Sequence, residues 1–451
     1  MHKSAGSMGT VKSLRRDALS ILRFSIKACD PFYAIRRCIK LKQEKLWVNQ
    51  FLYELKRIDR IFIIGAGKAS ARMAFALEEI LGEKISSGIV ITKKGYQVTL
   101  KKVELVEGGH PLPDRYGWQA TRKILRLLSR TNRDDLIIFL LSGGGSALLV
   151  SPVSGISLKD KIKLTDQLLR CGANIKEINA IRKHISQVKG GRLAQLAQPS
   201  PVLTLILSDV IGDRLDSIAS GPTAPDSTTF SQCLKIIRKY ELADKIPPSI
   251  YLRLKKGAEG KIEETPKPGD RIFKRVRNVI IGSNRIALQA AKKKAEDLGF
   301  NVLILPRPVS DDTTKAALRH VNLVRKIKKE GKPISLPACV ISGGETTVKV
   351  KGKGLGGRNQ EFTLVGAMGI SGMKDVVFLS AGTDGTDGPT DAAGAICDGD
   401  TIKRALKCGL DPKRYLDDND SYHFFQTLGD LIITGPTHTN VMDIHLILIG
   451  K

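Results

Sequence analysis

The residues in this chain that could do chemistry sit in glycine-rich loops, and each loop follows a short apolar run. Leu136–Val150 sets the pattern. Five apolar residues, Ile137–Leu141, lead into Ser142-Gly143-Gly144-Gly145-Ser146, and Ala147-Leu148-Leu149 then begins a helical pattern. Glycine tolerates positive φ and lets a ligand approach the backbone without a Cβ in the way. A helix that starts directly after such a loop offers free N–H groups to an anion. The loop reads either as a tight strand-to-helix turn or as a phosphate cradle.

Gly65-Ala66-Gly67-Lys68-Ala69-Ser70 is a second such loop, after Ile61–Ile64. It fits neither familiar nucleotide template. Phe62 stands where a Walker loop needs glycine, Ala69 where it needs Ser or Thr, and Ser70 where the third glycine of a dinucleotide fingerprint belongs. A lysine at a helix N-terminus is electrostatically unfavourable, so Lys68 calls for a bound anion or is simply exposed on a turn. The failed templates move the weight onto Ser142–Ser146 as the main phosphate cradle. His110, before Pro111, and Asp209, in Ser208–Asp213, end two further apolar runs.

In the second half, Gly343-Gly344-Glu345 follows Cys339–Ile341, and Arg358 follows Gly356-Gly357 at a predicted helix start. Arginine there suits phosphate or carboxylate, and Glu345 could bind metal or cap a helix. Asp384, Asp387 and Asp391 crowd one glycine-rich loop. They read as an Mg²⁺ or Mg-nucleotide site, or as Asx-turns and helix caps. The loop is not an EF-hand, because Ala395 occupies the twelfth position from Asp384. Cradle amides, a lysine, an arginine and carboxylates make a phosphoryl-transfer kit, whose chemistry depends on positioning and charge neutralisation.

The positioning elements alternate. The first 60 residues read as helical, with Lys45–Leu55 open between strand and helix. Ile61–Ile64, Gly88–Thr92, Val103–Val106, Ile137–Leu141 and Val202–Leu207 read as strands, with helices between them. That order implies right-handed crossovers and a parallel sheet, whose ligands sit beyond the carboxyl ends of the strands. Lys68, His110, the triple glycine and Asp209 all fall at that edge. Ala243–Asp270 is rich in Pro, Lys and Gly and is read as the junction, with domains 1–250 and 251–451. Val279–Ile281 is then expected to open the second α/β set.

The 451 residues predict two or three domains. The formal charge of +28 favours anionic ligands. The Lys and Arg residues are spread along the chain without interleaved aromatics, which argues against nucleic acid. There is no apolar run of membrane-spanning length and no signal-like leader. Seven scattered cysteines without a CxxC suit a reduced cytoplasmic chain with no zinc site.

GAGKAS, GGHPLPD, LSGGGSAL, INAIRKHISQVKGGRLA, LSDVIGD, IASGPTAPD, SGGETTV, GGRNQEF, GTDGTDGPTDAAG and GPTHTNV together resemble the class II glycerate kinases. These share a C-terminal domain with proteins once labelled hydroxypyruvate reductases. The resemblance runs in order from about Leu19 to the C-terminus. It implies two α/β domains, the first Rossmann-like with a parallel sheet, the second smaller with a mixed sheet, and an active site in the cleft between them. The implied reaction is ATP- and Mg²⁺-dependent phosphorylation of D-glycerate, in most members at the 2-hydroxyl, and a homodimer is a family-level expectation. The family's cleft lysine falls on Lys68 and its cleft arginine on Arg358. Asp209 is assigned as general base, ahead of Asp384. Ser142, Gly143, Gly144, Gly145, Ser146, Gly344, Glu345, Asp384 and Asp387 are assigned to the nucleotide, and Asp384 and Asp387 to the metal. The alternatives are a nicotinamide-dependent hydroxypyruvate reductase, against which the broken fingerprint counts, and a non-catalytic phosphosugar-binding module, which would need no acidic loop.

Overall fold

The computed structural model describes residues 11–451. It divides into two compact units, Pro31–Ile281 and a second built from residues 11–30 with Gly282–Lys451. The division therefore falls about thirty residues beyond the expected boundary at 250, and the chain's first helix belongs to the later unit. Val276–Gly282, expected to start the second set, is instead the edge strand of the first sheet. Helix Val11–Ala28 packs on Asn284–Asp297, Val376–Gly382 and Asp443–Ile449. Its Arg15 is held by Asp398 and Asp430.

The unit Pro31–Ile281 has a six-stranded sheet in which Val103–Gly108, Ile85–Lys93, Arg60–Ala66, Asp135–Leu141 and Val202–Leu207 run parallel in that spatial order. Every residue of Asp135–Leu141 is buried, as a strand covered on both faces requires. The parallel order sends the five carboxyl ends to one edge. The early segment departs from its helical reading. Ile39–Lys42, Lys45–Val48 and Phe51–Glu54 form an antiparallel meander, because alternating burial along Lys45–Val48 has the two-residue period of a strand.

The second unit has a mixed six-stranded sheet. Asn301–Ile304 pairs in parallel with Ala338–Gly344. The remaining pairs, through Asp443–Ile449, Val376–Gly382, Gly394–Asp398 and Leu431–Ile432, are antiparallel. The last strand of the chain thus lies inside the sheet, between Ala338–Gly344 and Val376–Gly382. Among the described residues, no helix is long and apolar enough to cross a membrane.

Candidate active site

At the carboxyl edge of the parallel sheet, the two loops that the sequence singles out lock together. The Lys68 amide donates to Gly143 O at 2.8 Å and the Ala69 amide to Ser142 Oγ at 3.0 Å, while Ser142 N donates to Ala66 O at 3.2 Å. Gly67, at φ 141°, sits so close that a Cβ would lie 2.1 Å from Ser142 Oγ. The amides of Gly67 and Ser70 are also taken, by Ile91 O and Gly67 O. Gly67–Ser70 is therefore a brace with four spent donors. It cannot cradle a pyrophosphate as a dinucleotide loop does.

The donors lie next door. The amides of Gly143, Gly144 and Ser146 have no protein acceptor among the described residues. A Cβ on Gly144 would meet His110 at 2.9 Å and Lys68 Cγ at 3.5 Å, and one on Gly143 would lie 2.3 Å from Asp209 Oδ2. The triple glycine thus lets an imidazole, an ammonium and a carboxylate crowd one backbone turn. The Lys68 ammonium has no hydrogen-bond or ion-pair partner among the described residues. Burial, with help from Lys68 and Lys93, pushes the His110 imidazole down to about 4, so it is neutral at pH 7.

Sequence reasoning missed a set of cations beside this loop. Gly144 and Ser146 also line a cavity of about 760 Å³ that contains Lys161 and Arg182. Lys161 is 7% exposed and Lys189 is 1% exposed. Burial, reinforced by Arg182, lowers the Lys161 ammonium to about 7. Burial and its cationic neighbours Lys161 and Arg182 also lower the Lys189 ammonium well below its usual value. Lys189 Nζ donates to Ala219 O at 3.2 Å. Ala219, Ser220 and Gly221 are three consecutive left-handed residues, at φ 47°, 63° and 63°. Non-glycine residues pay about 1–3 kcal/mol for that conformation. Ser220 Oγ is fixed by Asn179 Oδ1 and Ser146 Oγ, each at 3.1 Å. The available signal was the motif Asn179…Arg182…Lys189, whose basic residues follow helical spacing and so resemble a solvated face.

The mixed-sheet unit arranges its charges differently. Asp443 opens the inner strand and stands opposite both Gly344 and Gly382. Arg358 grips it with Nε at 2.6 Å and Nη2 at 3.0 Å, and donates from Nη1 to Glu345 at 2.7 Å. Asn359 Nδ2 bridges Asp443 and Asp387, 3.1 Å from each. Burial pushes the Asp443 carboxyl up to about 6, against the pull of Arg358 and Asn359. Asp443 was also missed. Its only mark in the sequence is a carboxylate at the start of an otherwise apolar run.

The acidic loop does not gather its carboxylates. Asp387 is 2% exposed. Its two oxygens accept the amides of Asn359 and Gln360 at 3.0 and 2.9 Å, so it caps helix Arg358–Gly369. Asp391 accepts from the Tyr422 hydroxyl at 2.8 Å. Asp384 Oδ1 closes an Asx-turn with Thr386, which leaves its other oxygen for a ligand. Among the described residues, no group of three or more His, Cys, Asp or Glu side chains is placed to hold a metal. The expected metal role of Asp387 thus competes with its capping of the helix. One carboxylate still fits Mg²⁺, which is commonly held by one or two carboxylates plus substrate phosphates.

Open amides and unpaired cations at the carboxyl edge of a parallel sheet define an anion-handling α/β protein. Comparison with known proteins sharpens that class. Residues 17–255 match a domain of unknown function, DUF4147, and residues 338–443 match the MOFRL family. The chain is 42% identical to a D-glycerate 2-kinase of Thermotoga maritima, over 97% of this chain and 99% of that one. It is 40% identical to a glycerate 2-kinase of Pyrococcus horikoshii, over 97% of each. A crystal structure of glycerate kinase from Thermotoga maritima superposes with a TM-score of 0.87 at 41% identity, covering 97% of this chain and all of the other. The chain belongs to the glycerate 2-kinase family.

Proposed function

We propose that this protein transfers the γ-phosphoryl group of ATP to the 2-hydroxyl of D-glycerate, giving 2-phospho-D-glycerate and ADP. The observation that carries the reading is the Ser142–Ser146 turn. Among the described residues it presents three amides without acceptors, beside an ammonium without a counter-ion and a carboxylate packed against Gly143.

Each group has a part in an in-line transfer. Lys68 and the Gly143, Gly144 and Ser146 amides neutralise charge on the transferring phosphoryl. Asp209 takes the hydroxyl proton as the glycerate oxygen bonds to phosphorus and the bond from phosphorus to the ADP oxygen breaks. Neutral His110 contributes a hydrogen bond and no charge. Arg358 spends three of its five N–H groups on Asp443 and Glu345. Two remain for a substrate carboxylate or phosphate. Mg²⁺ would supply further charge screening, and Asp384 has an oxygen left over from its Asx-turn to help hold it. A cytoplasmic setting belongs to the same reading and agrees with seven free cysteines. So does a homodimer, which size-exclusion chromatography with light scattering would test.

The deciding experiment incubates the protein with D-glycerate, ATP and Mg²⁺ and follows ³¹P NMR. The expected product is a phosphoester on carbon 2. A 3-phospho ester would correct the regiochemistry, and absence of any phosphoester would refute the reading.

A further inference from the structure

The cavity of about 760 Å³ beside Ser142–Ser146 is far larger than D-glycerate needs, and its walls do not match that molecule. Its rim carries Leu112 and Leu169, 65% and 61% exposed, and glycerate has no apolar surface to place against them. Its floor carries Lys161 and Arg182. Lys161 has no hydrogen-bond or ion-pair partner among the described residues, and the Arg182 Nε is buried and unpartnered. Two carboxylates line the same cavity, but neither serves these cations. Asp160 completes the capping box with Ser157, and Asp166 pairs with Arg170 at 2.8 Å.

Mutually repelling cations held out of water without a counter-ion are costly. A site of this kind is stable when an anion completes it. An apolar rim above a cationic floor, in a volume typical of cofactor pockets, calls for a ligand with a flat apolar end and a multiply charged end. Gly144 and Ser146 are shared between this cavity and the open-amide turn, so the charged end would run from Lys161 and Arg182 toward Lys68.

We propose that this cavity is the nucleotide pocket, with the base against Leu112 and Leu169 and the inner phosphates on Lys161 and Arg182. The assignment rests on the kinase reading for its second substrate but uses residues outside the transfer machinery.

The test is direct titration of the full-length protein with ADP by calorimetry, together with steady-state kinetics in both substrates. Lys161→Met removes a floor cation. Leu169→Glu sets a negative charge on the exposed rim, where it does not disturb the core. Both should weaken ADP binding at least tenfold and raise KM for ATP, with KM for D-glycerate changing less than twofold. A KM for D-glycerate that rises instead would overturn the proposal by giving the cavity to the acceptor. Unchanged ADP affinity in both variants would overturn it as well, and circular dichroism would show that they are folded. If the wild-type protein makes phosphoglycerate and both variants match it, the pocket is wrong and the kinase reading stands. If no phosphoglycerate forms but ADP binds and both variants lose it, the pocket stands and the acceptor is wrong.

Discussion

The two units handle charge in opposite ways. Among the described residues, the parallel-sheet unit holds Lys68, Lys161 and Arg182 without counter-ions and leaves three amides open. The mixed-sheet unit closes its arginine between two carboxylates and spends Asp387 on a helix N-terminus. Unpaired cations are receptive: they cost stability until an anion arrives, and they return that cost as binding energy. A buried Arg–Asp pair is structural first, because it fixes the guanidinium plane and offers only its remaining donors. In the parallel-sheet unit, removing a cation should therefore cost function without costing stability. In the mixed-sheet unit, removing the arginine should affect function and fold together.

The largest expected effect tests that contrast. Lys68→Ala should lower kcat/KM by about a thousandfold, the scale of losing one transition-state charge contact, with an unchanged melting temperature. Arg358→Ala should also lose activity, but it strands Asp443 in the core. Breaking a buried pair costs about 3–5 kcal/mol, so its melting temperature should fall by many degrees. Equal melting temperatures for the two variants would break the comparison.

Next in size is Gly143→Ala. Its Cβ would lie 2.3 Å from Asp209 Oδ2, so the carboxylate must move. A shift of about 1 Å at a reacting group costs on the order of a hundredfold in rate. Turnover at saturating substrate should report that loss, and near-normal turnover would remove Asp209 as the base.

The units should also differ in pH dependence. The Lys161 ammonium falls from its usual 10.5 to about 7. Between those values the unfolded chain binds a proton that the native state lacks, so this group makes stability rise with pH from about 7 to 10.5. The Asp443 carboxyl rises from 3.8 to about 6. Between those values the native state holds the extra proton, so its contribution falls as pH rises from 3.8 through 6. Denaturant unfolding of Lys161→Met and Asp443→Asn against wild type should show each slope disappear in its own window. A slope that survives its variant belongs to another group.

The smallest effect separates two neighbouring aspartates. Asp387→Ala should cost about 1–2 kcal/mol, the value of a helix cap, at an unchanged Mg²⁺ requirement. Asp384→Asn should leave stability nearly unchanged and raise the Mg²⁺ concentration needed for half-maximal rate severalfold. The reverse pattern would restore Asp387 as a metal ligand.

What could be read from the sequence followed the range of the signal. Ile137–Leu141 is apolar without a break and Val202–Leu207 is interrupted only by Thr204, a pattern that suits a strand covered on both faces, and the loops after them follow the strands' carboxyl ends. The capping box of Ser157 with Asp160 is of the local kind, because its two partners are three residues apart. The burial of Lys161, on a helix, and of Lys189, in a turn, depends on what packs over them, and local spacing alone cannot distinguish that from exposure. Asp443 acquires its role by pairing with strands about 60 and 100 residues earlier. The first helix joins the later unit through contacts that span nearly the whole chain, and no local pattern records such a partner.

The inner place of Asp443–Ile449 has a consequence for synthesis on the ribosome. Pro31–Ile281 is one continuous stretch and has all its strands as soon as residue 282 has emerged. The other unit needs the first helix and the last strand together, and its sheet stays split into two halves until Asp443–Ile449 arrives. The helix Val11–Ala28, made first, must wait at least until Asn284–Asp297 emerges, and for the rest of its packing until Val376–Gly382 and Asp443–Ile449 follow. Nascent chains halted before Asp443 should accordingly protect Pro31–Ile281 from protease and leave both the N-terminal helix and Gly282 onward open to cleavage.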